Sequence, residues 1–442
     1  MKTAIIGAGL AGCEAANYIA RAGYPVTLYE MKPKRFSPAH KSPLFAELVC
    51  SNSLKAERTA SAAGLLKREM KLLGSLCVAA AEKTRVPAGG ALAVDRDRFS
   101  GEITDAVKAN PNIEIKNEEI GELPEYDYLV IASGPLTDGK LSESIKKLLG
   151  SEYLSFYDAA APIVTADSID MNTVFSASRY DRGDDDYLNC PFNKEEYENF
   201  LAELVSAKTA PLSEFDKPLT VYEGCMPIEV LAKRGADAPR FGPMKPVGLK
   251  DPKTGHRPWA AVQLRKENLG GTLYNIVGFQ TNLKFGEQKR VFSMIPGLEN
   301  AEIVRYGVMH RNSFINSPQL LNHDFSLRKN PSIFFGGQIS GVEGYMESAA
   351  SGLICGINIC RRINGEEPLS LPDITMLGAL SGYISDPSVK KFQPMGANFG
   401  ILPPLAEKIR DKRERYAALA RRSLDWYRKS DINLSELFND GE

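Results

Sequence analysis

Two kinds of residue in this chain are typed and spaced for chemistry. The first is a glycine cluster, Gly7-Ala8-Gly9-Leu10-Ala11-Gly12, which has the spacing of a dinucleotide phosphate loop. Gly7 permits a tight turn, Gly9 lets the backbone approach a pyrophosphate, and Gly12 lets helix and strand pack closely. The second is cysteine, whose thiolate is a nucleophile. The seven cysteines show no CxxC pair and no His/Cys cluster, which argues against a zinc site and against a disulfide framework. Cys225 stands in Glu223-Gly224-Cys225-Met226-Pro227, after an apolar run at 219–222. A strand-end thiol flanked by glycine and proline suits an exposed nucleophile, although a buried structural thiol is the commoner case. Cys50, in Leu48-Val49-Cys50-Ser51-Asn52-Ser53, is the second candidate, in a polar loop. Cys190, beside Pro191, fits either a core or a cavity wall. Cys13, Cys77, Cys355 and Cys360 fall in helical patterns and read as core.

The glycines need elements around them to act. Met1–Ile6 reads as a short buried strand and Cys13–Ala22 as a helix, whose N-terminus would aim unpaired N–H groups at phosphates. Pro25–Glu30 reads as a second strand ending in an acid 18 residues after Gly12, and Glu30 is expected to accept hydrogen bonds from a ribose hydroxyl. Two further stretches favour FAD over NAD. Tyr128-Leu129-Val130-Ile131-Ala132-Ser133-Gly134-Pro135 is a strand ending in small residues. Ile333-Phe334-Phe335-Gly336-Gly337-Gln338 runs into Gly341-Val342-Glu343-Gly344-Tyr345 and then an apolar helix, Ser348–Ile354. That helix would set its positive end against the flavin pyrimidine. The expected cofactor contacts are Gly7, Ala8, Gly9, Leu10, Ala11, Gly12, Glu30, Ser133, Gly134, Gly337, Gln338 and Gly341.

An FAD site built from both ends of the chain implies an inserted middle. From about Tyr157 to His323 short alternating runs appear, namely Thr220-Val221-Tyr222, Trp259–Leu264 and Thr272–Phe279, separated by turn signals such as Asp251-Pro252-Lys253-Thr254-Gly255. The expected fold is α/β. A Rossmann-like FAD-binding domain of glutathione-reductase type (1–156 and 324–442) would carry an inserted mixed α/β substrate domain (157–323). Hydrophobic residues at 43% and charged residues at 25% exclude global disorder. No window approaches the roughly 18 apolar residues of a membrane span, and no signal segment is visible, so the cytoplasm is the expected location. The net charge of −1 leaves any basic surface local.

Several strings add up to more than a flavoprotein. They are Pro38-Ala39-His40, Phe45–Leu54, Val86–Arg96, Tyr187–Pro191, Glu223–Pro227, Phe241–Leu249, Arg305–Asn312 and Gly341–Tyr345. Together, from Met1 to about Pro404, they closely resemble the folate- and FAD-dependent tRNA (uracil-5-)-methyltransferases of bacteria. The resemblance implies transfer of a one-carbon unit from 5,10-methylenetetrahydrofolate to C5 of a T-loop uridine in tRNA. FAD reduced by NADH or NADPH would supply the electrons. The implied partners are tRNA and folate, with no membrane and no obligatory protein partner.

Uracil C5 is a poor nucleophile, and thiolate addition at C6 makes it enolate-like, so the reaction needs one activated cysteine. Cys225 matches the family's nucleophile. Cys50 belongs to a family string as an acid/base, an adduct stabiliser or a loop-shaping residue. Tyr345 is expected to stack on the isoalloxazine or on the target base. His40 and His310 are candidates for moving the C5 proton or touching folate. Lys245, Arg305 and Arg311 are candidates for folate carboxylates or RNA phosphate. Between Lys408 and Lys429 nine basic residues face three acidic ones, and Lys408, Arg415, Arg422 and Lys429 recur every seven positions as a basic stripe. The target uridine would have to be extruded from its RNA. The alternatives are the same chemistry on a ribosomal RNA uridine, an FAD-dependent wobble-uridine tRNA-modifying protein, a small-molecule FAD oxidoreductase and a non-catalytic RNA-binding flavoprotein.

Overall fold

The computed structural model describes residues 1–150, 154–159, 161–181, 186–210, 226–268, 270–307, 309–389 and 392–430, with backbone alone at 154–159, 181 and 309–311. Cys225 and the run Thr220-Val221-Tyr222 lie outside them. The central sheet has six strands in the order Ser326–Leu327, Asn330–Phe335, Tyr128–Ile131, Thr3–Ile6, Val26–Tyr29, Ile113–Lys116. All neighbours are parallel except the outermost pair, 326–327 against 330–335. Every residue of Thr3–Ile6 and of Val26–Tyr29 is buried, as expected of parallel strands covered on both faces. The strand order reverses at Thr3–Ile6. The chain passes first to Val26–Tyr29 on one side and later to Tyr128–Ile131 on the other. In an open α/β sheet the crevice beyond the carboxyl ends of such a pair is the ligand site.

The two ends of the chain meet in this sheet. Ile333 is in register with Leu129, and the helix Tyr345–Ile363 lies against the helix Leu10–Arg21. Contact is backbone to backbone. A Cβ on Gly352 would fall 2.0 Å from the Ala11 carbonyl oxygen, and one on Gly12 would fall 1.8 Å from that of Gly7. The helix starts at Tyr345, not Ser348. Gly344, at φ 125°, makes the turn into it and places Tyr345 in the first turn.

The middle region forms its own antiparallel sheet, in the order Phe175–Ser176, Tyr187–Phe192, Ala260–Lys266, Leu273–Ile276, Ile163–Thr165, Ile303–Arg305. Its core gathers Val164, Leu188, Phe192, Phe200, Val262, Leu264, Phe279 and Phe292. The chain leaves the first unit along Leu154–Ala159 and returns along Met309–Phe314, and these two strands pair antiparallel. Among the described residues no helix is long and apolar enough to cross a membrane.

The C-terminal helix runs Lys412–Lys429, with the Asp411 side chain accepting from the Glu414 N–H at 2.8 Å. Lys408 therefore precedes the helix, and the expected four-residue basic stripe is not a single helical face. Arg422 is half-buried and donates to the carbonyls of Pro403 (2.7 Å) and Pro404 (2.9 Å). Leu419, Ala420, Ser423 and Tyr427 form the docking face.

Glu69 holds this helix in place. Its fully buried carboxylate accepts the N–H groups of Met376 and Leu377 at 2.8 Å, opening the helix Met376–Ser385, together with the hydroxyl of Ser423 at 2.5 Å. Glu14 does the same for the helix Leu76–Lys83, accepting from Leu76 N–H (3.1 Å) and Cys77 N–H (2.9 Å). Burial raises the Glu69 carboxyl from its ordinary 4.5 to about 7, against the pull of these three donors and of the Tyr427 hydroxyl. A folded-state pKa above the unfolded one means that the contribution to stability is complete below about pH 4.5 and is lost as pH rises through about 7. The loss approaches about 3 kcal/mol, at 1.36 kcal/mol per pKa unit. Glu69→Gln, which cannot ionise, is therefore expected to flatten the decline in denaturation midpoint that the wild type shows between about pH 5 and about pH 7.5. A decline of equal slope in the variant would show that Glu69 does not titrate there.

Candidate active site

Loops from the carboxyl ends of three parallel strands converge on one cleft. Gly7–Ala11 follows Thr3–Ile6, Ala132–Asp138 follows Tyr128–Ile131, and Gly337-Gln338 follows Asn330–Phe335. Of the expected cofactor contacts, Gly7, Ala8, Gly9, Leu10, Ala11, Glu30, Ser133, Gly134, Gly337 and Gln338 line this cleft. Gly12 and Gly341 do not. Gly12 sits behind the loop against the Gly7 carbonyl, and Gly341 faces the ring of Phe392. Lys32, Arg35 and Thr137 line the cleft as well, and the sequence pattern did not single them out.

The residues present fit a dinucleotide. A Cβ on Gly9 would have no atom within 4 Å, so the loop offers open space at the one glycine whose role is to admit a pyrophosphate. No side chain caps the helix that begins at Leu10, which leaves its first-turn amides facing the cleft. Glu30 is buried, and its two oxygens accept the N–H groups of Ala8 (2.8 Å) and Lys32 (2.9 Å). It therefore braces the glycine loop in addition to whatever it offers a ribose hydroxyl. Ser133 accepts from the Thr137 hydroxyl at 2.7 Å, and the Gln338 amide donates to Glu343 at 2.7 Å. These would hold the pyrophosphate loop, the ribose side and the far wall of FAD.

Cys50 and Tyr345 line the same cleft. Among the described cysteines Cys50 alone is not buried. Burial holds the thiols of Cys13, Cys77, Cys190, Cys355 and Cys360 above their ordinary range. The Tyr345 hydroxyl accepts the N–H of Cys50 at 2.7 Å and that of Ser51 at 3.2 Å. Burial, with Cys50 nearby, pushes its pKa well above the ordinary value, so it stays a neutral phenol. Tyr345 thus fixes the cysteine loop through its main chain, a role for its hydroxyl that is separate from the ring stacking expected from the sequence.

Three arginines hold the same loop from the other side. Arg96 donates to the Leu48 carbonyl and pairs with Glu267, and Arg305 donates to the Val49 carbonyl. Arg265 donates to Ser51 Oγ (2.8 Å) and to Asn52 Oδ1 (3.0 Å). The Asn52 amide in turn donates to the carbonyls of Val94 and Lys266. Arg265 and Arg305 belong to the inserted sheet, so the cysteine loop is a joint between the two units. Arg305 is committed to this joint. His40 also lines the cleft, with Nδ1 2.6 Å from Ser37 Oγ, and burial lowers its pKa below 6.5, leaving a neutral imidazole near pH 7. Lys245 stands over the Tyr180 ring at 5.8 Å, in the inserted unit. The side chains of His310 and Arg311 lie outside the described residues, as does Cys225.

Two outcomes follow. Gly9→Val is expected to fold and to purify without flavin, whereas Gly12→Ala should lose stability by a few kcal/mol through its clash with the Gly7 carbonyl. Flavin absorbance and melting measured on both separate the roles, and a yellow Gly9→Val protein would move the cofactor elsewhere. Tyr345→Phe should cost about 1–3 kcal/mol by stranding two amides; a silent substitution would return Tyr345 to a stacking role.

Comparison with known proteins agrees with this geometry. The family model described as "Glucose inhibited division protein A" matches residues 2–367. Two relatives are each described as a methylenetetrahydrofolate–tRNA-(uracil-5-)-methyltransferase TrmFO. The one from Acetivibrio thermocellus is 59% identical over 420 residues, 95% of this chain and 96% of the relative. The one from Heliobacterium modesticaldum is 58% identical over 425 residues, 96% and 97% of the two chains. The form I crystal structure of Aquifex aeolicus GidA superposes with a TM-score of 0.69 at 17% identity, covering 99% of this chain and 77% of that one, and so shares its fold. The chain belongs to the GidA family and, within it, to the methylenetetrahydrofolate–tRNA-(uracil-5-)-methyltransferases.

Proposed function

We propose that this chain transfers a one-carbon unit from 5,10-methylenetetrahydrofolate to C5 of a T-loop uridine in tRNA, giving 5-methyluridine. The setting is the cytoplasm, and NADH or NADPH is the reductant. The observation that carries the reading is the joint at Cys50. It brings a half-exposed cysteine, a neutral histidine and a dinucleotide cleft to the edge of a second unit. The identity of 59% across 95% of the chain to a protein named for this reaction supports it. FAD, when bound, supplies the electrons that turn the methylene into a methyl group.

The chain's own residues bind, orient and move protons. On this reading residues 1–156 and 324–442 form the FAD-binding unit and 157–323 the substrate unit, with the uridine entering between them. The Cys225 thiolate adds to C6 of the uracil, C5 takes up the one-carbon unit, and loss of the C5 proton then allows the thiolate to leave. Cys50 and the neutral His40 are the cleft groups able to exchange a proton near C5. Tyr345, Arg96, Arg265 and Arg305 position the Cys50 loop.

The test combines unmodified transcribed tRNA, purified protein, NADPH and methylenetetrahydrofolate carrying a labelled one-carbon unit, with S-adenosylmethionine replacing folate in a control. Labelled 5-methyluridine is expected with folate alone, and Cys225→Ala is expected to keep its flavin and lose transfer. Product in the S-adenosylmethionine arm, or undiminished transfer by Cys225→Ala, would sink the donor or the nucleophile respectively. A parallel arm with unmodified ribosomal RNA, labelled where the tRNA arm is not, would redirect the same chemistry to that target.

A further inference from the structure

Although the whole chain carries a net charge of −1, residues 233–259 hold seven lysines and arginines against two aspartates. Both aspartates are spent internally. Asp237 pairs with Arg240 at 2.6 Å, and the buried Asp251 accepts the Lys253 N–H at 2.8 Å. Lys233, Arg234, Lys250, Lys253 and Arg257 are exposed. Two large apolar side chains, Phe241 and Trp259, belong to the same stretch of sequence. Phe241 is 85% exposed, the greatest exposure of any large hydrophobic residue described. Trp259 is 37% exposed and carries the Arg240 guanidinium 4.0 Å from its ring centroid, with Arg240 Nε donating to the Trp259 carbonyl at 3.0 Å.

We infer that this face of the inserted unit binds the tRNA outside the cleft, with its cations on phosphates and Phe241 stacked on an unpaired base. The inference rests on the function proposed above. A phenylalanine exposed to 85% in a stretch rich in lysine is a poor protein interface, since the buried centre of such interfaces is depleted in lysine. A positive surface carrying aromatic platforms is the recurring form of single-stranded nucleic-acid sites, where every base presents a face to stack on. The geometry supplies the distance. The strand Ala260–Lys266 begins beside Trp259 and carries near its other end Arg265, which holds Ser51 and Asn52 next to Cys50. Seven residues at about 3.3 Å each put the two ends about 20 Å apart. An RNA whose uridine enters the cleft can therefore cover this face as well.

The test uses the full-length flavoprotein and transcribed tRNA, with binding measured by filter retention over a range of salt. Phe241→Ala is expected to weaken binding about tenfold, and Phe241→Trp to restore it. Lys253→Glu with Arg257→Glu should lower the slope of log affinity against log salt by about 0.7–0.9 for each phosphate no longer neutralised. Flavin content and melting should stay at wild-type values, because none of these side chains is buried. Unchanged affinity and slope in the variants, with the wild type binding, overturn the surface alone and leave it to another macromolecule. Weakened binding in Phe241→Ala that Phe241→Trp fails to restore overturns the stacking. A wild type that binds no tRNA at low salt overturns the surface together with the proposed function.

Discussion

The structure depends on one close approach between two helix backbones. Gly352 of the helix Tyr345–Ile363 leaves room where a side chain would meet the carbonyl of Ala11, and Gly12 does the same against Gly7. With those two gaps filled, the glycine loop and the returning strand could not aim at one crevice. Both helices also present an uncapped N-terminus at Gly9 and Gly344, so their positive ends converge near the same space. The phosphate loop, the wall at Ser133-Gly134 and the wall at Gly337-Gln338 inherit their positions from this contact.

A second constraint sets where the reactive loop sits. Leu48–Asn52 has no regular secondary structure, and its shape comes from outside. Tyr345 takes two of its amides, while Arg96, Arg265 and Arg305 take its carbonyls and polar side chains. A neutral phenol and three guanidiniums are suited to this task, because buried main-chain groups left unpaired cost more than the bonds themselves return. Since two of the arginines come from the inserted sheet, any rotation of one unit against the other is felt at Cys50.

Much of this was legible in the residues. The fingerprint, the two flanking strands and the strand ends at Ser133 and Gly337 were readable because short parallel strands followed by glycine leave a local pattern. The strands at 260–266 and 273–276 were readable, with ends shifted by one to three residues, in the runs Trp259–Leu264 and Thr272–Phe279. What escaped was non-local. Nothing near Tyr345 announces that its hydroxyl binds amides some 295 positions away, and Arg265, inside an apolar strand, has no period to mark it. The basic stripe failed for a different reason. A seven-residue recurrence marks one face only where a single helix spans it, whereas Asp411 caps this helix after Lys408, and Arg422 is drawn inward by two proline carbonyls.

The pairing of Asn330–Phe335 with Tyr128–Ile131 also has a consequence for how the protein is made. Partners about 200 positions apart must meet before the parallel sheet is whole. A ribosome releases Tyr128–Ile131 about 200 residues before the strand that completes its sheet, and the inserted sheet, whose last strand ends at Arg305, emerges in between. The insert, with its own core, can therefore compact on the nascent chain while Tyr128–Ile131 still waits with one open edge. An unpaired, largely apolar edge such as Tyr128–Ile131 is the kind of surface that recruits neighbouring chains. The interval between these two events is where yield in a heterologous host would be won or lost, and slower elongation through residues 160–330 would lengthen the exposure.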